Sequence, residues 1–278
     1  MAADKTTTKD RWADRNLLLE RHEAKYLIPR ALVPRIREFI RPFCIPDPYT
    51  RGDPPEYVIT TLQLDSPDLV LHHMKEWEAL NRFKLRVRTY GTDGRAPVFL
   101  EVKRKVKGVI IKSRVAIPAS EWGESLVRDP RISLRIRREK EVHGLLEFVR
   151  LCREINAQPV VWLRYTRESY MGMIDHYARV TLDRNLLYQP AKDWDSWGRG
   201  GKWRCMDSTL SQNKQYGFSG VVLELKTLTD APQWMVDLTK ELGLVRTGNC
   251  KYSTAVWTES IFRGTPAMPA YASEVFRT

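Results

Sequence analysis

The chain has no stretch approaching the ~20 apolar residues of a membrane-spanning helix. Its opening MAADKTTTKDRWADR lacks an apolar h-region, so no signal peptide is expected. Cysteine is scarce: Cys44, Cys152, Cys205 and Cys250 lie far apart with no C-x-x-C pair. That leaves no disulfide framework, and a reduced, cytoplasmic setting is expected. The five histidines show no zinc-ligand spacing. Gly198-Arg199-Gly200-Gly201-Lys202-Trp203 lacks both the spacing of a Walker loop and its hydroxyl after the lysine. G-x-S-x-G and H-E-x-x-H are absent too. Carboxylates are also short, with 34 Asp+Glu against 46 Lys+Arg, and the resulting +12 predicts an acidic partner.

The cations are placed with a period. In Arg82–Arg114, Lys84, Arg86 and Arg88 alternate with Phe83, Leu85, Val87 and Thr89, and Glu101, Lys103 and Lys105 alternate with Leu100, Val102 and Arg104. Lys112 and Arg114 flank Ser113. A strand sends successive side chains to opposite faces, so each charged set lies on one face. Gly91 and Gly94, then Lys107-Gly108, mark the connections of a three-strand antiparallel meander. Its apolar face can pack on helices.

An ordinary solvated sheet face explains one such strand. Three neighbours strain that reading, because two cations ~5 Å apart repel by roughly 3 kcal/mol at an effective dielectric of about 20. A polyanion would remove the repulsion.

The same alternation recurs. Arg21, Glu23 and Lys25 share a face within Asn16–Ile28; Arg179, Thr181 and Asp183 share one within Arg179–Leu187; Glu224 and Lys226 share one within Gly217–Leu228. Tyr57–Leu64 and Gln158–Tyr165 complete the strands, with Arg167 expected inward after an irregularity near Thr166. Helices are expected after Pro34, over Asp65–Ala79, Pro118–Val127 and Leu134–Ile155, after Pro232, and after Cys250-Lys251-Tyr252. In Leu134–Ile155 the stripe is Val142, Leu145, Leu146, Val149 and Cys152 or Arg153. Residues 188–216, rich in Gly and Trp, read as a covering loop or a functional lid. The terminal segments 1–15 and 263–278 read as loose, flanking a domain over 16–262. The simplest enclosure is α+β: a closed or nearly closed eight-stranded antiparallel β-barrel, helices outside, charged face inward. Such an interior requires water, metal and an anionic guest.

Arg21-x-Glu23-x-Lys25-Tyr26, Lys84-x-Arg86-x-Arg88, Leu100-Glu101-x-Lys103-x-Lys105, Lys112-x-Arg114, Leu223-Glu224-x-Lys226 and Cys250-Lys251-Tyr252 follow in this order. With them the chain resembles the VTC domain, the catalytic domain of vacuolar transporter chaperone-type polyphosphate polymerases, in the triphosphate tunnel metalloenzyme superfamily. The resemblance implies a tunnel that binds a triphosphate and Mn²⁺ or Mg²⁺, and transfer of the terminal phosphate of ATP to inorganic polyphosphate. It puts the basic tunnel residues at Lys25, Arg86, Arg88, Lys103, Lys112, Arg167 and Lys251, and the metal-binding glutamate at Glu224. Glu101 and Glu23 are further carboxylates for metal or for ion pairs. Arg21, Lys84, Lys105, Arg114, Arg179 and Lys226 complete the expected substrate-binding set. Arg21 stands where hydrolytic members of the superfamily carry a first glutamate, which favours the polymerase over a tunnel-type triphosphatase. Cys250 stands where relatives commonly carry serine. The phosphate-sensing and transmembrane regions of the eukaryotic complex are absent, so a stand-alone soluble form is expected. A non-enzymatic polyanion or nucleic-acid binder is the third reading; strict alternation on strands, instead of an exposed basic run, speaks against nucleic acid.

Overall fold

The computed structural model describes residues 22–107, 109–129, 139–206, 220–228 and 230–258. Arg21, both terminal segments, residues 134–138 of the expected helix and residues 207–216 of the expected excursion lie outside them. The strands are β1 His22–Ile28, β2 Cys44–Pro46, β3 Glu56–Asp65, β4 Arg82–Tyr90, β5 Val98–Val106, β6 Val109–Ile117, β7 Gln158–Gly172, β8 Arg179–Pro190, β9 Arg204–Cys205 and β10 Val221–Thr227. The helices are α1 Val33–Ile40, α2 Val70–Glu76, α3 Glu124–Arg128, α4 Glu139–Glu154, α5 Gln233–Glu241 and α6 Lys251–Thr258. None is long and apolar enough to cross a membrane.

Eight strands form one antiparallel path, β1-β10-β8-β7-β3-β4-β5-β6, while β2 pairs with β7 and β9 with β8. The sheet curls into a half-barrel. The expected closure is not made by backbone pairing: β1 and β6 are the two ends of the path among the described residues. The free edge of β1 is satisfied by other chain, since the Thr247 N–H donates to the Lys25 carbonyl at 2.8 Å. Lys25 Nζ donates to the Asn249 carbonyl at 3.3 Å, and Lys84 Nζ on β4 donates to Cys250 Sγ at 2.9 Å. Residues 247–250 thus sit between the curled strands.

Alternation puts Leu85 and Val87, Leu100 and Val102, and Val115 and Ile117 on the convex side, buried against Leu145, Phe148, Val149 and Cys152 of α4. Gly144 sets how close α4 comes, because a Cβ there would lie 2.5 Å from Val115 Cγ2. That approach rotates the helix from the expected stripe. Val142 and Leu146 are 37% and 51% exposed, while Phe148 and Leu151 take the core. A second core joins Tyr26, Ile28, Leu223 and Leu225 to α1 and α5. The described part of the Trp-rich excursion is cover: Trp197 packs in the α4-side core, and Trp122 Nε1 donates to the Trp194 carbonyl at 2.6 Å.

One helix departs from the expected outside position. Tyr252, Ala255 and Val256 of α6 cluster with Ile59, Leu163, Tyr165 and Val222, which share the faces of the charged rungs. The concave side is therefore charged over part of its area and apolar under α6. Asp65 fixes that helix. Its carboxylate accepts the N–H groups of Ser66, Leu71 and His72 at 2.7, 2.8 and 2.9 Å, and the Tyr252 hydroxyl at 2.7 Å.

Candidate active site

The register lines up three charged rungs. Lys84 faces Lys103, which faces Lys112; Arg86 faces Glu101, which faces Arg114; Lys25 faces Glu224 across the β1–β10 pair. Like charges directly opposite one another are destabilising, so an anion at the lysine rung would relieve repulsion. Burial and the cations Lys112, Lys25 and Arg86 push the Lys103 ammonium down to about 8, against the pull of Glu23. Glu23 and Lys25 on β1 thus act on Lys103 of β5 across the concave space.

Glu224 is the hub at the β10 end. Lys226 lies 2.6 Å from its carboxylate, Lys25 3.5 Å, Arg167 3.6 Å and Lys251 3.9 Å. Burial opposes its charge, but these four cations hold the carboxyl well below the usual range. Beside it Asp183, fully buried, accepts both arms of Arg167 at 2.6 and 2.7 Å and Lys251 Nζ at 2.7 Å. Glu23 lies 3.2 Å from Lys25. Burial raises its carboxyl, and Lys25, Lys103 and Lys226 bring it down to about 2.

Glu101 is the second hub. Arg86 donates to it, and Arg88 and Arg114 lie 3.6 and 3.5 Å away. Burial again resists, and the three guanidiniums hold its carboxyl at about 2. Arg114 also donates to the Tyr90 hydroxyl at 3.0 Å and lies 3.8 Å over the Phe99 ring. Tyr165 backs the Glu224 hub, with Lys251 and Arg167 4.9 and 5.5 Å from its ring centroid. Two buried donors on this face have no hydrogen-bond partner: Arg88 Nε, on a residue 8% exposed, and Thr181 Oγ1, on a residue 4% exposed. Such groups are costly unless a ligand meets them.

The expected residues Lys25, Lys84, Arg86, Arg88, Lys103, Lys112, Arg114, Arg167, Lys226, Lys251, Glu23, Glu101 and Glu224 are thus gathered on one curled surface. Two are not drawn in. Arg179 is half exposed and nearest Asp47 at 3.9 Å, and Lys105 lies opposite Arg82 toward the β5–β6 turn. Arg167 turns inward as expected, while Arg164 turns away to donate to Thr60 Oγ1 and the Trp197 carbonyl. The β7–β8 register shifts between Arg164 and Thr166. Sequence reasoning put Asp183 on the face of Arg179 and Thr181 without giving it a role, and missed Tyr165, which shares a face with Arg167.

The VTC domain family model matches residues 20–258, most of the chain. The chain belongs to the VTC domain family. No curated protein matches it. In this member of the VTC domain family the described cations and carboxylates of the first five motifs lie on β1, β4, β5, β6 and β10, and Lys251 of the sixth opens α6.

The carboxylates suit a hard divalent cation in part. Glu23 and Glu224 both reach Lys25 Nζ, so two oxygen donors face a common point. Mg²⁺ or Mn²⁺ is ordinarily held by one or two carboxylates together with phosphate oxygens. Among the described residues no three His, Cys, Asp or Glu side chains are grouped for a metal, so substrate oxygens would supply the rest. Glu101 stands apart from this pair and is ion-paired to three arginines.

Proposed function

We propose that the chain is a metal-dependent polyphosphate polymerase, transferring the γ-phosphate of ATP to a growing polyphosphate chain. The observation that carries this is the concave rung system, in which lysines face lysines and buried donors of Arg88 and Thr181 await acceptors. Lys84, Lys103 and Lys112 contact phosphate as point charges; Arg86 and Arg88 offer planar donors to its oxygens. Arg167, locked on Asp183, and Lys251 hold the charge at the Glu224 end. Phosphoryl transfer needs positioning and neutralisation more than a protein nucleophile. The acceptor, phosphate or the end of a polyphosphate chain, is already anionic and needs no general base. Glu224 and Glu23 would hold Mn²⁺ or Mg²⁺, whose contribution is neutralisation of phosphate charge.

The test is to incubate the purified chain with ATP and each metal and to stain the product for polyphosphate on a gel. A long polyanion is expected. Release of orthophosphate alone would assign a tunnel-type triphosphatase, and ATP binding without turnover a binder. Glu224→Gln should lower turnover on the order of 100-fold while ATP binding largely survives.

A further inference from the structure

Aromatic rings follow the charged rungs at one end of the concave face. Tyr57, Tyr90 and Phe99 stand side by side on β3, β4 and β5, edge to face, with successive ring centroids 5.4 and 5.6 Å apart. Each is half-buried. Phe99 pairs with Arg88 on one side and with Ala116 on the other, and the exposed Ala116 offers only a methyl group there. Arg114 lies against this row. Its guanidinium carbon is 3.8 Å over the Phe99 ring, Nη2 donates to the Tyr90 hydroxyl at 3.0 Å, and Nε lies 3.5 Å from Glu101. A ring beneath and two acceptors at its edge fix the plane of that guanidinium. Its outer face stays open, since the side chain is 42% exposed. Any cation of the rungs can meet phosphate, but a flat cation stacked on a ring, with one bare face, matches a planar heterocycle.

Spacing decides what such a ligand is joined to. Along β5 the order on this face is Phe99, Glu101, Lys103, so the aromatic row, the arginine–glutamate rung and the lysine rung succeed one another every ~7 Å. A triphosphate laid over the two charged rungs ends beside the row, and the group esterified to its α-phosphate comes to Arg114. We propose that Arg114, backed by Phe99 and held by Tyr90, is the seat of the nucleotide base. This rests on the reading of the concave face as the site of ATP's triphosphate, and adds to it the part of the substrate that inorganic triphosphate lacks. Stacking responds to the area of a ring more than to its hydrogen-bond pattern, so adenine and guanine are held alike and a pyrimidine less well.

The experiment measures, by calorimetry on the full chain with Mg²⁺, binding of the β,γ-imido analogues of ATP, GTP and CTP and of inorganic triphosphate. The two purine analogues should bind within about twofold of each other, and the CTP analogue about threefold more weakly or worse. Phe99→Leu should weaken imido-ATP about tenfold and leave inorganic triphosphate within about twofold. Arg114→Lys, which keeps the charge and loses the plane, serves as the second variant should Phe99→Leu not fold; it should lose more affinity for imido-ATP than for inorganic triphosphate. Equal losses for the two ligands in Arg114→Lys, imido-CTP bound as tightly as imido-ATP, or imido-ATP unbound where inorganic triphosphate binds would overturn the proposal. A chain that makes polyphosphate and gives equal losses would remove the base seat and leave the polymerase standing; base-dependent binding by a chain that makes no polyphosphate would do the reverse.

Discussion

Lys103 shows what crowding does to a single residue. It faces Lys84 on one side and Lys112 on the other, and its ammonium sits at about 8 in the folded chain against about 10.4 in an unfolded one. Since the folded state binds the proton less readily, this residue costs stability below pH 8, and the cost fades as pH rises from 8 toward the unfolded value. A bound phosphate favours the charged form, so binding takes up a proton above pH 8. Triphosphate affinity should therefore hold below pH 8 and fall above it, by up to about tenfold per unit. Calorimetry from pH 7 to 9.5 checks this, and Lys103→Met should bind more weakly with a flatter pH profile. The positions of Lys25, Arg86, Lys103 and Glu224 were legible because a strand has a period of two. The weight of Asp183 was not, because its value comes from Arg167 and Lys251, brought to it only by the fold.

Among the elements, α6 decides the shape of the site. Its first residue is Lys251 and its second, Tyr252, is tied to Asp65. Burial and that hydrogen bond, with the Asp65 charge, raise the Tyr252 hydroxyl well above its ordinary range, so it stays a donor at any working pH. Burial also lifts the Asp65 carboxyl, to about 6 against the pull of its four donors. Tyr252→Phe removes one of them at a cost of about 1–3 kcal/mol. A lower melting temperature and a weaker triphosphate affinity should appear together in that variant; an unchanged affinity would show that Lys251 holds its place without the tether. The helix itself was legible, its place was not. Apolar residues such as Leu163 and Val222 on the charged face announce a cover only once the curl brings them opposite α6. The stripe of α4 was misread for a similar reason: Gly144 carries no side chain to mark the contact, yet it fixes the rotation.

For the whole molecule, a net +12 and a rung where lysine faces lysine would make a bound anion part of the folding balance. Inorganic triphosphate at 100 times its dissociation constant should add about 2.7 kcal/mol of stability. The rise in melting temperature should be larger at pH 7 than at pH 9.5, where Lys103 no longer asks for a counter-charge, and smaller at high salt. Sulfate at equal ionic strength should give less; an equal rise would point to general screening instead of a fitted site. The antiparallel pairing of neighbouring strands was readable from the sequence, whereas β1 and β6 standing as the two ends of the path among the described residues was not, since no local pattern encodes whether strands so distant in the chain pair.

Among the described residues no backbone pairing joins β1 to β6, and that would bear on how any long guest gets in and out. A pipe must be threaded from an end, bead by bead, and α6 already occupies part of the bore. A trough can be loaded and emptied along its length, so a polymer many times longer than the protein could be laid down or lifted off without its ends ever passing through.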